Sequence, residues 1–305
     1  SNAQGLIFEL ADGAFDLSLG PIANPTAEAV FIRYSSRNTD FVATELNVGP
    51  VSYVFDSDVR AGEIAFAVQG FQADLSDFLS INGSLGFAKR GDGAIEAIGQ
   101  DIGVSVGTDD VGLKVSGATF GLLSSSEQFA LEVTGGALEL NLAAFAEFSF
   151  DDVKVQYTDA QTTIQAGTTI TIGGLTHEFS GIAADTIGVQ VIGISANLAD
   201  FITLEGDLGF VKSGNNVVAI GNEVSAFMGV DEAYVRVSKA NFGARFSQDG
   251  FIFETTGGDL DAKIEGMTGI SAQDVGVFYS EGIAQQAGTV LAAGALTYTF
   301  QRNYV

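Results

Sequence analysis

The sequence predicts an all-β protein: an elongated antiparallel repeat structure, with a continuous sheet and little helix. The first observation is a self-repeat with a period of roughly 122 residues. The segment Ala73–Phe87 returns as Ala196–Phe210, and Gly135-Gly136 returns as Gly257-Gly258. A period this long means that each copy is a multi-strand unit and not a single coil of a solenoid.

The repeat predicts a domain organisation of two full copies and part of a third. Residues 4–127, 128–249 and 250–305 form these copies, and residues 1–3 (Ser-Asn-Ala) are typical of a remnant of tag cleavage. No Pro- or Ser-rich linker separates the copies, which favours a sheet that continues from one copy to the next. The alternative is a row of separate β-sandwiches, because about 120 residues is a usual size for such domains.

The second observation is strict alternation of apolar and small polar residues, which is typical of strands. Residues 202–210 alternate apolar with polar or small side chains, and residues 79–87 do the same in the first copy. A central glycine in each, Gly83 and Gly206, indicates a bend or a close approach of another segment. The apolar parity switches near Ser116-Gly117 and Ser238-Lys239, which predicts a bulge or a corner there.

Helix signals are weak in this chain. Residues 143–147 and 283–287 have a composition that would support a turn or two of helix. Neither segment is long enough for a stable amphipathic helix without help from packing. We therefore expect a small helical content.

Composition excludes several classes of function. The formal net charge is −25, with 38 acidic and 13 basic residues, so the chain repels nucleic acid and attracts divalent cations. It has no apolar run of about 18 residues, so a membrane-spanning helix is not expected. The absence of cysteine excludes disulfides and is compatible with export from a bacterium.

No catalytic constellation is visible, so we predict that the protein is not an enzyme. The single histidine, His177, matches Tyr298 in the third copy, which favours an ordinary strand position over a functional one. With one histidine and no cysteine, zinc sites and Ser-His-Asp or Cys-His catalysis have no basis. A glycan-acting enzyme would need two carboxyl groups facing each other across a cleft, which sequence proximity does not establish.

No cofactor is predicted, with calcium as the one candidate ligand. Calcium prefers six to eight oxygen ligands, and this chain lacks the usual calcium-loop motifs. Acidic pairs recur in register at a turn before a strand. The candidate metal residues are Asp109, Asp110, Asp231 and Glu232, against the alternative of a solvated acidic turn.

Two further sets of residues recur. Glu9, Glu132 and Glu254 occupy equivalent positions, on what the alternation indicates is the wet face of their strands, so we expect a structural role such as a cross-strand partner for Lys or Arg. The phenylalanines either fill a core between two sheet faces or line an open groove for an apolar ligand. This set is Phe78, Phe87, Phe120, Phe201, Phe210 and Phe242.

The motif Asp-Phe-x-x-x-x-Gly-x-Leu-Gly-Phe, with Val-Ser-Ala-Phe-Met-Gly229 and Val-x-x-Ala-x-Phe-Gly243, resembles tandem repeats of very large bacterial extracellular, adhesin-like proteins. The resemblance implies a surface or secreted location and a structural or adhesive role, and it supplies no active site. The alternative function is a carrier that binds an apolar or lipid-like ligand along a Phe-lined groove. We also expect self-association through strand edges, because a partial copy that ends in the strand at residues 298–300 leaves an edge bare.

Overall fold

The computed structural model describes residues 5–16, 25–75, 78–108, 110–143, 145–266 and 269–304. The predicted tag remnant at residues 1–3 lies outside this part of the chain. The described residues form an all-β structure without an α-helix, as the alternation predicts. The described residues of the two segments with weak helix signals are not helical, because residues 146–150 form a strand and residues 283–287 form a loop.

The strands fall into three successive groups along the chain. The first group is β1 (Ile7–Asp16), β2 (Thr26–Ser35), β3 (Glu45–Val48), β4 (Val51–Val54), β5 (Ile64–Leu75), β6 (Leu79–Lys89), β7 (Ile95–Gly107) and β8 (Val111–Ser124). The second is β9 (Phe129–Thr134), β10 (Ala137–Leu142), β11 (Ala146–Phe150), β12 (Asp152–Thr158), β13 (Thr169–Ile172), β14 (Leu175–Glu178), β15 (Thr186–Leu198), β16 (Ile202–Ser213), β17 (Asn216–Val230) and β18 (Ala233–Ser247). The third is β19 (Gly250–Lys263), β20 (Ile270–Glu281), β21 (Val290–Ala293) and β22 (Leu296–Thr299).

The topology is dominated by one 16-stranded sheet. Its order is β1-β2-β5-β6-β7-β8-β10-β11-β15-β16-β17-β18-β19-β20, with β9 and β12 paired beside this path. The other strands form three small hairpins, β3-β4, β13-β14 and β21-β22. No second large sheet faces the first in the part of the chain that is described, so the alternative of tandem β-sandwiches is not observed.

The same order of elements recurs along the chain. In the first two groups a pair of strands, called here the outer strands (β1 and β2, or β9–β10 and β11–β12), is followed by a small hairpin and then by four long strands. The third group contains the outer strands β19 and β20 and the β21-β22 hairpin. In the second group each outer strand is divided in two, and Gly135 and Gly136, both at positive φ, separate β9 from β10. The fold is therefore repeat-like, whereas the copy boundaries at 127/128 and 249/250 remain predictions.

The chain forms two compact units that do not coincide with the predicted copies. The first contains described residues up to Val106 with Ser116–Glu132 and Thr158–Ile182, and the second contains Gly107–Val115, Val133–Tyr157 and the described residues from Ala183. The hairpin that follows β12 therefore packs in the first unit, against β5 and β6. The hairpin at the end of the chain packs in the second unit, against β15, β16, β17 and β18.

Each unit has its own hydrophobic core between a hairpin and one face of the sheet. Phe179 fills the first core and Phe300 the second, and both side chains are fully buried. Full burial of such a side chain contributes about 1.5–3 kcal/mol. The remaining first-core residues are Phe31, Ala65, Ala67, Ala88, Ile98, Ala130, Ile164, Ile170, Ile172, Leu175 and Ile182. The remaining second-core residues are Ile220, Ile252, Ile283, Leu291, Ala293, Leu296, Tyr298 and Tyr304.

The predicted bends are confirmed as bulges. Gly83 and Gly206 have φ of 133° and 130°, and the strand register shifts at both. Gly117 and Lys239 also have positive φ, at the predicted parity switches. A bulge leaves one residue unpaired and exchanges the two faces, which explains why the apolar parity changes within one strand.

The interpretation that the recurrent phenylalanines fill a core between two sheet faces is wrong. Phe78 and Phe201 are exposed, and Phe87 and Phe210 are 43% and 40% exposed. Phe120 and Phe242 are only partly buried, and both lie against glycines of the neighbouring strand. The hairpins cover the other face of the sheet, so these side chains do not enter either core.

The expected bare edge at residues 298–300 is also not observed. Strand β22 pairs with β21, and its Tyr298 side chain is buried in the second core. The outermost strands of the large sheet are β1 and β20. The terminal segment is thus covered by its own chain, and the free edges lie elsewhere.

Candidate functional site: three glutamates that anchor the hairpins

The three equivalent glutamates are buried and each one binds a hairpin. Glu132 and Glu254 are fully buried, and the side chain of Glu9 is inaccessible to solvent. Their assignment to a wet face is therefore wrong. An unpaired buried carboxylate would be costly, so each must find partners inside the fold.

Glu9 on β1 binds both a neighbouring strand and the first hairpin. It lies opposite Arg33 on β2, and Arg33 Nε donates to Glu9 Oε2 at 2.6 Å. This is the predicted cross-strand basic partner. Glu9 Oε1 also accepts the hydroxyl of Tyr53 at 2.9 Å and the backbone N–H of Asp56 at 3.0 Å. The base of the β3-β4 hairpin is thereby tied to β1.

Glu132 on β9 binds the second hairpin in the same way. Its Oε2 accepts the backbone N–H of Ser180 at 2.9 Å, and its Oε1 accepts the Ser180 hydroxyl. His177 Nε2 lies 3.5 Å from Glu132 Oε2, and the imidazole meets the ring of Phe179 edge-on. His177 is therefore buried beside a carboxylate, which distinguishes it from an ordinary strand-surface residue.

Glu254 on β19 repeats the arrangement a third time. Its Oε1 accepts the backbone N–H of Gln301 at 2.9 Å, and its Oε2 accepts the hydroxyl of Tyr304 at 2.7 Å. Tyr298, in the position of His177, interacts electrostatically with Glu254. The expectation of a Lys or Arg partner therefore holds for Glu9, whereas neutral donors hydrogen-bond Glu254.

The tyrosines around these anchors have raised pKa values. Burial, with the hydrogen bond to Glu9 as the second cause, raises the pKa of Tyr53 to about 12. Burial likewise raises the pKa of Tyr298 to about 12. The pKa of Tyr304 is also raised, by burial first and then by its hydrogen bond to Glu254. The hydroxyls of Tyr53 and Tyr304 donate to Glu9 and Glu254, which suits a structural anchor.

Sequence reasoning identified the glutamates and missed what they bind. The signal was present in the alignment of copies, because Tyr53, His177 and Tyr298 share one position. Two residues later, the three copies have Phe55, Phe179 and Phe300, which are all buried. A conserved spacing between a glutamate and this aromatic pair, about 45 residues later, indicates a non-local contact within each copy.

A second group of buried charges lies in the first unit. Glu96 is buried and pairs with Arg60 at 3.2 Å and with Arg90. Glu63 is buried too, and its Oε1 lies 3.6 Å from an Arg33 nitrogen. Burial, followed by repulsion from Arg60, lowers the pKa of the Arg90 guanidinium.

The candidate calcium residues lie on exposed turns. Asp110 lies between β7 and β8, Asp231 and Glu232 lie between β17 and β18, and Asp109 lies outside the described residues. The backbone carbonyl of Asp231 accepts a hydrogen bond from Lys263 Nζ at 3.0 Å. Within the described ranges no group of three or more Asp, Glu, His or Cys side chains has the proximity needed to hold a metal ion. Calcium binding by these turns stays a prediction.

Polar pockets recur at the loop end of both units. In the first, a pocket of about 360 Å³ lies between the β6–β7 and β8–β9 loops. In the second, a pocket of about 440 Å³ lies between the corresponding β16–β17 and β18–β19 loops. Their lining is mostly hydroxyl, amide and carboxylate groups.

No protein-family model, curated protein or solved structure matches this chain. The arrangement of the glutamates therefore has to be interpreted from its own chemistry. Their oxygens are engaged by backbone, hydroxyl, imidazole or guanidinium groups of the same unit. Such carboxylates hold segments together and have little capacity left for a substrate.

Proposed function

We propose that this chain is a non-enzymatic, structural or adhesin-like repeat region of a bacterial protein that is secreted or displayed on the cell surface. The observation that carries the proposal is the threefold recurrence of the Glu9, Glu132 and Glu254 anchors. The recurrent glutamates bind hairpins to strands. The residues that repeat along the chain therefore serve a structural purpose.

Charge and composition support the same role. A net charge of −25 disfavours nucleic-acid partners and favours solubility at high local concentration. The lack of cysteine is compatible with export from the cell. Among the described residues, no helix has the length and apolarity required to span a bilayer.

The proposal can be tested by adhesion of coated beads. Beads carrying the purified chain should be retained on glass and on mucin-coated surfaces more strongly than beads carrying albumin at equal density. A parallel screen against chromogenic glycosides should give no turnover above a heat-denatured sample. Clear turnover, or retention no greater than that of albumin, would contradict the proposal.

A second candidate, the carrier of an apolar ligand, is favoured by the uncovered sheet face. Gly86 faces the β13-β14 hairpin, since an added Cβ would lie 3.2 Å from Ile172, so the adjacent Phe87 points to the opposite face. There Leu10, Ile32, Phe66 and Phe87 stand in one cross-strand row. All four are about half exposed.

The second unit has an equivalent aromatic face. Phe246 stacks on Phe251 with centroids 4.2 Å apart, and Phe251 lies near Phe253 and Tyr279. Exposed apolar area of this kind commonly marks a binding surface.

Titration with oleate separates the two candidates. The structural role predicts no saturable heat of binding. The carrier role predicts stoichiometric binding that the double substitution Phe87→Ser and Phe210→Ser abolishes, with the exposed pair Val42→Ser and Val54→Ser as the matched control.

A further inference from the structure

The three hairpins are equivalent in construction but differ in what covers their tips. Each has a glycine at positive φ in its turn, namely Gly49, Gly173 and Gly294. Each is also closed at its base by an isolated bridge. These bridges are Phe41 with Val59, Ile164 with Ile182, and Gln285 with Tyr304.

The apolar side chains flanking the turn are buried in two hairpins and bare in the first. Ile172 and Ala293 are 3% and 1% exposed, whereas the equivalent Val48 is 77% exposed. Leu175 and Leu296 are 3% and 5% exposed, whereas the equivalent Val51 is 66% exposed. Leu46 is also exposed, although its counterparts Ile170 and Leu291 are buried.

A four-stranded segment covers each of the second and third hairpins. Strands β5–β8 cover β13-β14, and strands β15–β18 cover β21-β22. Gly86 on β6 and Gly209 on β16 lie under the two tips, and a Cβ on Gly209 would come within 2.8 Å of Ala293. Gly121 on β8 and Gly243 on β18 lie under the rings of His177 and Tyr298. The glycines create the space that the hairpins fill.

A glutamine on the first strand of each segment fixes the turn of the hairpin. Gln69 Nε2 donates to the carbonyl of Gly173 at 2.8 Å. Gln190 Oε1 accepts the backbone N–H of Ala295 at 2.7 Å. An added Cβ at Gly173 would meet Ala67 and Phe31 at 2.7 Å, whereas one at Gly49 would meet nothing. The tip of the first hairpin lacks this enclosure.

Among the described strands, β1 also lacks the neighbouring strand that its equivalents β9 and β19 have. In the second unit β18 pairs with β19 and also contacts β22 of the covering hairpin. In the first unit β8 pairs with β9. Strand β1, which is the equivalent of β9 and β19, pairs only with β2 among the described strands. One four-stranded segment equivalent to β15–β18 would pair with the edge of β1 and would also cover the tip of the β3-β4 hairpin.

We propose that the apolar tip of the β3-β4 hairpin, with Leu46, Val48 and Val51, is a docking surface for a further four-stranded repeat segment joined ahead of β1. The segment has a glutamine on its first strand and glycines on its second and fourth strands. Glu9 binds Tyr53 and Asp56 at the base of this hairpin, so the position of the hairpin is fixed before the segment docks. This inference rests on the proposed role as a repeat region and names its next contact.

The test is an extended chain with a single cysteine. Residues 183–249 are fused ahead of Gly5, so that Asp249 precedes Gly5 as it precedes Gly250 in the native chain. Val48→Cys is introduced into the parent and extended chains, and thiol labelling rates are compared under native conditions. Labelling of Val48→Cys should slow by at least about tenfold in the extended chain, because it then requires local opening.

Controls isolate docking from other effects. Asn47→Cys, which points away from the docking face, should label equally fast in both chains, and Ile172→Cys should stay protected in both. A third chain carries Gly209→Leu in the added segment, which should restore fast labelling of Val48→Cys. Strand content by circular dichroism reports whether the added segment folds.

Three outcomes would overturn the proposal. The first is an extended chain in which Val48→Cys labels as fast as in the parent. The second is an added segment that gains no strand content, because β1 and the hairpin are expected to complete it. The third is protection of Val48→Cys in the parent that increases with concentration, which would make a second copy the occupant. None of these outcomes affects the bead-adhesion assay, so the two proposals fail separately.

Discussion

The backbone N–H of Ser180 donates to Glu132 Oε2 at 2.9 Å, although the two residues are 48 positions apart in the chain. Glu254 and Gln301 repeat this contact at a separation of 47, and Glu9 and Asp56 do so as well. A buried acid thus ties the base of each hairpin to an outer strand. The arrangement makes the stability of each hairpin depend on one side chain.

Replacement of Glu254 by alanine should therefore destabilise the fold strongly. The substitution leaves the Gln301 N–H and the Tyr304 hydroxyl without their acceptor, which should cost about 3 kcal/mol in the free energy of unfolding. Denaturant unfolding followed by circular dichroism measures this cost. Glu139→Ala, at an exposed residue, serves as the matched control and should change stability by less than about 0.5 kcal/mol. Equal costs for the two variants would show that the anchor is not stabilising.

A methyl group at Gly121 should also be poorly tolerated. An added Cβ would lie 2.0 Å from His177 Cδ2, so the ring must move. Overpacking of this kind costs about 1–3 kcal/mol. Gly188→Ala, where the nearest atoms are 3.7 Å away, is the control and should cost less. His177→Ala in the Gly121→Ala background should recover part of the loss, whereas strict additivity of the two substitutions would contradict the steric explanation.

The sequence predicted the features that depend on local pattern. Alternation identified the strands, and Gly83, Gly206 and the parity switch near Lys239 identified the bulges. These features depend on φ preferences and on period-two geometry, which a short stretch of chain determines by itself.

The face of the sheet that the hairpins cover could not be predicted from local pattern. In an ordinary half-buried strand the apolar face is the inner one, and Glu132 lies on the opposite parity. On β6 and β16 the outer face carries Phe87 and Phe210, while the inner face carries the small residues Gly86, Ala88 and Gly209. Hydropathy therefore indicated the wrong face. The covering hairpin comes from residues much later in the chain, and only a contact such as Gln69 with Gly173 identifies its partner.

Stability should decline in alkaline solution through the anchor tyrosines. In the folded state the pKa of Tyr53 and of Tyr298 is raised to about 12 from the ordinary value of 10.0. Above pH 10.0 the unfolded chain loses these protons first, so unfolding releases protons and becomes more favourable. The stabilisation is complete below pH 10.0 and is lost as the pH rises toward about 12.

The denaturant midpoint measured from pH 8 to pH 12 at constant high salt checks this expectation. Tyr53→Phe together with Tyr298→Phe should flatten the alkaline decline, although it lowers stability at pH 8. Tyr34→Phe, at an exposed tyrosine, serves as the control. An unchanged slope in the double variant would exclude these two groups as its source.

Calcium should raise the melting temperature if the acidic turns bind it. Asp110, Asp231 and Glu232 are exposed and free to reach an ion, and a bound ion stabilises the folded state by mass action. Melting is measured with calcium and with sodium at the same ionic strength. Asp231→Asn with Glu232→Gln should abolish the extra shift, whereas Asp92→Asn should preserve it. Equal shifts from the two cations would mean that calcium only screens the net charge of −25.

Free strand edges should cause self-association at high concentration. Strand β20 is the outermost strand next to β19, and its residues are mostly exposed. An edge strand with few charges presents unpaired backbone groups to another molecule. The weight-average mass from sedimentation equilibrium should therefore rise with concentration.

The variant Val277→Lys should weaken this association, because a charge on an edge strand opposes pairing. Thr255→Lys is the matched control, since Thr255 lies directly opposite Val277 on β19 and adds the same charge one strand inward. If molecules associate through the edge, the first variant is impaired and the second is not. If they associate through the exposed aromatic face instead, both variants are impaired. A parent chain that stays monomeric throughout would show that the β1 and β20 edges do not pair between molecules.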